Sequence, residues 1–119
     1  MKERARREAA GRRGEAIAAL YLRLCGWSIV AQRVKTPRGE VDLVARRGRT
    51  IAFIEVKWRA NRSSLDLAID HQRLRRVGAA AEALAGRLAK SGDTIRVDVL
   101  LIAPWSWPRR IANAWQPGA

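Results

Sequence analysis

One cysteine, Cys25, and one histidine, His71, are present in 119 residues, which excludes a disulfide framework and a zinc cluster built of Cys and His within one chain. Any bound metal must then be held by oxygen ligands, which favours a hard cation, Mg2+ or Mn2+. Cys25 itself, in Leu24-Cys25-Gly26, is expected to be buried as a small apolar side chain. No long hydrophobic run is present either: the longest near the N-terminus, Ala16 to Leu22, is far too short to span a bilayer. The first thirteen residues carry six basic and two acidic side chains with no apolar segment directly behind them, unlike a secretory signal. These absences point to a cytoplasmic protein with no membrane partner. Acidic residues are scarce as well, 11 against 24 Lys and Arg, so the few carboxylates mark positions worth explaining.

A net charge of +13 and a pI near 11.6 attract polyanions before any specific contact forms, and nucleic acid is the leading partner. The length suits one domain, and 48% hydrophobic content is enough for one core. Residues 1–13 read as a basic arm that frays, and residues 14–116 as the single domain. Ile17, Leu20 and Leu24 recur at helical spacing, with Gly26 as a stop, so Glu8 to Cys25 reads as a helix. Strands follow at Trp27 to Lys35, Val41 to Ala45 and Ile51 to Lys57, with turns at Thr36-Pro37-Arg38-Gly39 and Arg46-Arg47-Gly48-Arg49. Beyond a polar loop at Arg59 to Ser64, Asp70 fits a helix N-cap, and Leu74, Val77, Ala81, Leu84 and Leu88 trace one helix face that Gly92 closes. Thr94 to Ile102 reads as a buried strand and Arg110 to Trp115 as a short edge strand. The expected class is α/β, in the order αβββαβ, with a central mixed sheet flanked by helices.

Side chains two apart on a strand share a face, so Glu55 and Lys57 point the same way. A two-residue turn at Arg47-Gly48, or a symmetric four-residue loop, sets Asp42 opposite Phe53 and therefore diagonal to Glu55. Diagonal neighbours lie roughly 7–8 Å apart, a spacing at which two carboxylates share one divalent cation. The competing explanation is a surface ion pair of Lys57 with Glu55 and Asp42, worth roughly 0–1 kcal/mol. Against it stand Ile51 and Phe53, which precede Glu55 on the same face.

The blocks Gly39-Glu40-Val41-Asp42-Leu43-Val44-Ala45 and Phe53-Ile54-Glu55-Val56-Lys57-Trp58-Arg59 resemble the two signature blocks of the YraN-like uncharacterised protein family, whose fold resembles that of archaeal Holliday junction resolvases. Gly14-Glu15-Ala16, Gln72-Arg73 and Arg96-Val97-Asp98-Val99 extend the likeness from about Gly14 to Trp115. The resemblance implies a restriction-endonuclease-like core of the PD-(D/E)XK nuclease type. It implies metal ligation by Asp42, Glu55 and the backbone carbonyl of Val56, a Lys57 that assists the attacking water, and a further glutamate from the first helix, Glu15. Two positions depart from the pattern: Arg33 stands where the family commonly has asparagine, and His71 where lysine is usual.

Glu40 reads either as a further ligand or as a charge flanking a turn, and Glu15 either as a ligand or as a solvated charge beside the apolar helix face. Twelve of the 24 basic residues fall between Arg33 and Arg76, among them Arg38, Arg59, Arg73 and Arg76. With Gln72 they form either a phosphate-holding rim around the acidic pair or part of a generally basic surface. Trp105 and Trp107 either stack on unpaired bases or close the edge of the core. The expected activity is metal-dependent hydrolysis of DNA phosphodiesters, branched DNA included, and a junction-cleaving enzyme would act as a C2 homodimer. The rival is a nucleic-acid-binding module on the same fold without chemistry.

Overall fold

Four apolar-rich runs of nine residues and a fifth of seven build the strands, and two helical stretches cover them. The computed structural model describes residues 2–58, 71–104 and 106–115. Its elements are α1 (Lys2–Leu24), β1 (Ser28–Thr36), β2 (Gly39–Arg47), β3 (Thr50–Trp58), α2 (His71–Leu88), β4 (Thr94–Ile102) and β5 (Arg109–Trp115). The strands form one sheet in the order β1-β2-β3-β4-β5, antiparallel throughout except for the parallel pair β3 and β4, which α2 connects. The sheet is therefore mixed, as expected. No helix among the described residues is long and apolar enough to cross a membrane. The polar loop, Asp70 and Trp105 lie outside the described residues.

Each helix covers one face. Leu74, Val77, Ala81 and Leu84 of α2 pack on Val44, Ile51, Phe53, Val97, Val99 and Leu101. Ala18, Ala19 and Leu22 of α1 pack on Leu43, Ala45, Ala52, Ile54, Leu100 and Ile102, with Trp27 filling the layer. The buried face of α1 is thus not the one the aliphatic spacing suggests, since Ile17, Leu20 and Leu24 face solvent. Alanines let the helix axis approach the sheet closely, and the bulk on that side comes from the strands and Trp27. The helix also starts earlier than expected, at Lys2. It ends where Gly26 takes φ +89° and the Trp27 N–H reaches back to the Leu22 carbonyl at 2.9 Å, a glycine-dependent helix stop. Cys25, expected inside, is exposed at this end.

The β2–β3 turn corrects the expected register. Arg47 pairs with Thr50, so the two loop residues are Gly48 and Arg49, and Gly48 has φ +60°. A hairpin turn of this kind needs glycine at its first loop position, whereas the sequence reading placed Gly48 second. The pairing therefore shifts by two residues: Val44, not Asp42, faces Phe53. A slip of two preserves the face of every side chain.

At the other hairpin, Thr36 Oγ1 accepts from the N–H groups of Arg38 (3.2 Å) and Gly39 (3.1 Å) and donates to the Gly39 carbonyl (2.8 Å). Gly39 lies against α2 so closely that a Cβ there would sit 2.3 Å from the Arg76 carbonyl oxygen. Backbone on both sides leaves nothing flexible to yield. Gly39→Ala is expected to destabilise the fold by about 1–3 kcal/mol, the usual cost of overpacking. A urea-unfolding midpoint equal to that of the parent would show that the helix and turn separate freely.

Candidate active site

The ladder between β2 and β3 runs only from Arg47/Thr50 to Leu43/Ile54. Beyond it Gly39 to Val41 pair with β1 alone, and Glu55 to Trp58 with β4 alone, so the two central strands part. Continuing the register across the gap sets Asp42 opposite Glu55. Instead of a β2 backbone carbonyl, Asp42 Oδ2 accepts the Val56 N–H at 2.8 Å. A strand residue presents its N–H and C=O toward the same neighbour, so the Val56 carbonyl also faces the gap.

The parting coincides with a local break in the pleat. Val41 packs in the α2 layer and Leu43 in the α1 layer, although a regular strand would keep both on one face. Arg33, opposite Asp42 in the β1–β2 register, has φ +51°, a conformation uncommon for a residue with a side chain as large as arginine. Asparagine tolerates it better. Arg33 Nε donates to Glu15 Oε1 at 2.7 Å, tying α1 to the kink.

Glu55 follows Ile51 and Phe53 on the α2 face and is only 2% exposed. Arg73 Nε of α2 forms an ion pair with its Oε1, and Lys57 Nζ stands 3.6 Å from the same oxygen. These carboxylate and ammonium groups are withdrawn from water, which removes the reading of a solvated surface pair. Asp42 is mostly buried, and its carboxyl is pushed up to about 7 by that burial first and by the charge of Glu55 second; the Val56 N–H pulls the other way, Glu15 adds to the rise, and Arg73 opposes it. Asp42, beside a second carboxylate and partly withdrawn from water, is the carboxyl short of positive charge.

The donor set suits a hard divalent cation: two carboxylates and a peptide carbonyl, with water to complete the shell, the manner in which Mg2+ is usually held. Among the described residues no three Asp, Glu, His or Cys side chains are grouped as a ready metal cage. Glu15 is close enough to influence Asp42, yet it is engaged by Arg33. Glu40 is exposed on the wall of a neighbouring cleft of about 820 Å³, whose lining includes Glu55, Arg38, Gln72, Arg73 and Arg76. Of the expected phosphate-holding residues, that cleft gathers all except Arg59, which lies outside the described residues. No spacing along the chain signals that Arg73 pairs with Glu55; its place in the first turn of α2 tells only once α2 is laid on β3.

The raised carboxyl of Asp42 has a defined sign. Between about 4 and about 7 the unfolded chain has released this proton while the folded chain keeps it, so stability falls as pH rises through that window and then levels off. Asp93 does not confuse the reading: its carboxyl is held at about 2 by the Arg46 guanidinium and the Lys90 N–H, and its contribution is lost only below about pH 4. Metal-free protein should have a lower urea midpoint at pH 7.5 than at pH 5, and Asp42→Asn should flatten the difference. Equal pH profiles for parent and variant would contradict the crowding of the two carboxylates.

Comparison with known proteins agrees with this architecture. A UPF0102 protein of Erythrobacter litoralis is 64% identical over 110 residues, covering 92% of this chain and 95% of the relative. One of Sphingopyxis alaskensis is 63% identical over 114 residues, covering 96% and 98%. Among solved structures, Archaeoglobus fulgidus Hjc, a Holliday junction resolvase from an archaeal hyperthermophile, superimposes with a TM-score of 0.60 at 22% identity, over 85% of this chain and 75% of that one. The fold is restriction-endonuclease-like. The model of the uncharacterised protein family UPF0102 matches residues 14–102, and the chain belongs to that family.

Proposed function

We propose that the protein is a divalent-metal-dependent endonuclease that hydrolyses phosphodiester bonds of DNA, branched DNA included. The observation that carries this reading is the parting of β2 and β3, which brings Asp42, Glu55 and the Val56 backbone to the side of an arginine-bearing cleft. The likeness to the resolvase Hjc supports the same reading. Asp42, Glu55 and the Val56 carbonyl would hold Mg2+ or Mn2+, which when bound neutralises charge on the phosphate and acidifies a water. Lys57 orients the attacking water and offsets the negative charge that develops on the phosphate oxygens. Arg73, Gln72, Arg38 and Arg76 bind flanking phosphates, and Glu15 contributes a more distant negative charge. A bound ion would give Glu55 a source of compensation beside Arg73 and Lys57. The protein works in the cytoplasm on this reading, and acts as a homodimer if the substrate is a four-way junction.

A second reading has its own observation. Glu55 is already compensated by Arg73 and Lys57 without metal, as in a binding module that keeps the fold and has lost the chemistry. Asp42→Asn and Glu55→Gln, which preserve shape, separate the two. For a nuclease, each should lower Mg2+-dependent cleavage at least about a hundredfold. Each should leave DNA affinity in EDTA unchanged or tighter, because a negative charge beside the phosphate is removed. Lys57→Ala should lose cleavage and bind slightly more weakly. Parent protein that binds DNA but cleaves no junction, flap, duplex or single strand with Mg2+ or Mn2+ would establish the module. In either case log affinity should fall linearly with log salt, and removing Arg38 or Arg76 should flatten the slope by about one unit each. A slope indifferent to both arginines would take the cleft out of the interface.

A further inference from the structure

The β4–β5 connection leaves the sheet at the same end as the acidic notch. β3 and β4 run in parallel, so their C-terminal ends lie together, with Lys57 beside Leu101 and Leu101 beside Arg109. At the strand spacing of about 4.8 Å, the backbone of Arg109 is about 10 Å from that of Lys57. The connection between β4 and β5 rises from this edge, and on it Trp107 is 83% exposed. Tryptophan is normally among the more buried side chains, and this one is followed directly by Pro108, with Pro104 at the other end of the connection. Proline at both ends limits the conformations of so short a loop, so little order has to be imposed when the indole meets a ligand. Arg109 opens β5 directly after Pro108, while the guanidinium of Arg110 turns to the Trp27 ring, 5.6 Å from its centroid.

We infer that Trp107 is a stacking platform for an unpaired nucleobase, so that the site takes nucleic acid in which single-stranded nucleotides adjoin the scissile phosphate. The inference builds on the nucleic-acid reading above and specifies its substrate class. The notch between β2 and β3 has on one side the guanidinium cleft, lined by the β1–β2 turn and α2, and across β4 the connection that carries Trp107. The two flanks differ in what they recognise. Guanidiniums hold phosphates of paired and unpaired strands alike, whereas an exposed indole face stacks only on a base whose own face is open. A blunt, fully paired duplex offers no such base near its middle; a flap, a gap or the centre of an opened junction does.

The test uses the full chain in EDTA, so that binding is read without cleavage. Affinities of the parent, Trp107→Ala and Trp107→Phe are measured for a labelled single strand, the same strand in a blunt duplex, and a duplex bearing a single-stranded flap. Stacking on tryptophan is lost on alanine substitution at a cost corresponding to about tenfold or more in affinity. Trp107→Ala should therefore weaken binding of the single strand and the flap by about that factor, leave the blunt duplex within about twofold, and leave the melting temperature unchanged. Trp107→Phe should retain most of the affinity. Equal weakening on all three ligands, no weakening, or a parent that ignores single strands overturns the inference. So does a change in oligomeric state on Trp107→Ala, which would make the indole a contact between protein copies. The catalytic proposal fails separately: if no metal supports cleavage but the selective loss of binding is seen, the platform stands without the chemistry. If Asp42→Asn abolishes cleavage while Trp107→Ala binds as the parent does, the reverse holds.

Discussion

A single hydrogen bond, from the Val56 N–H to Asp42 Oδ2, replaces the strand pairing that β2 and β3 give up. Two strands cannot separate inside a sheet without stranding backbone groups, and a buried unpaired N–H costs about as much as a lost hydrogen bond. Asp42 meets that requirement with a side chain. It does so at the expense of holding a carboxyl in a poorly solvated place opposite Glu55, where its proton is retained up to about pH 7. The other features of the site follow from this arrangement. Arg73 and Lys57 converge on Glu55 because its charge has little water to rely on, and the Val56 peptide turns toward Asp42 across the gap.

The same constraint explains why the chemistry collects at one end of the fold. The β1–β2 turn, the C-terminal ends of β3 and β4, and the β4–β5 connection all lie there because β2 is antiparallel to β3 and β4 is parallel to it. Gly14 of α1 packs on Trp58 at that end, which brings Glu15 along, and the N-terminal half of α2 meets Gly39 there. Open α/β sheets commonly bind ligands beyond the carboxyl ends of their parallel strands, and this sheet conforms although it has only one parallel pair. The opposite end is tied by ordinary structural contacts. Arg46 reaches the Leu88 carbonyl and Asp93, closing α2, and the guanidiniums of Arg47, Arg96 and Arg110 lie 4.7, 5.9 and 5.6 Å from the Trp27 ring centroid.

Much of this was legible in the sequence because strand periodicity is forgiving in one respect. The expected β2–β3 register lies two residues from the observed one, yet a shift of two keeps the paired side chains on their faces, and Asp42 still lies beside the Glu55–Val56 stretch of β3. The strands and the helix before β4 were legible from their runs of valine, isoleucine and leucine. What was not legible depended on tertiary contact. The buried face of α1 consists of Ala18, Ala19 and Leu22, and a hydrophobic pattern gives alanine too little weight to outvote Ile17, Leu20 and Leu24. The backbone of Arg33 could not be read from an arginine, since the signal for a left-handed residue is normally glycine or asparagine. The Arg73–Glu55 ion pair joins α2 to β3, and no spacing rule within either element predicts it.

Three buried or bridged aspartates show how a structural carboxylate differs from one held for another purpose. Asp98 is fully buried, and it accepts from both Arg96 and the Asn113 N–H, which fixes the irregularity where β4 meets β5. Asp93 is bridged by Arg46 and the Lys90 N–H, and its carboxyl is drawn down to about 2. In both cases the fold supplies the donors that the negative charge needs. Asp42 has one backbone donor and a carboxylate for a neighbour, and its carboxyl is pushed upward. A protein with 24 Lys and Arg residues has no shortage of cations to place beside it, so the deficit is local and positional. Natural chains depart from full compensation mainly where function requires it. A residue whose ionised state its surroundings disfavour, and which a divalent cation would relieve, is what the proposed ligand role of Asp42 calls for.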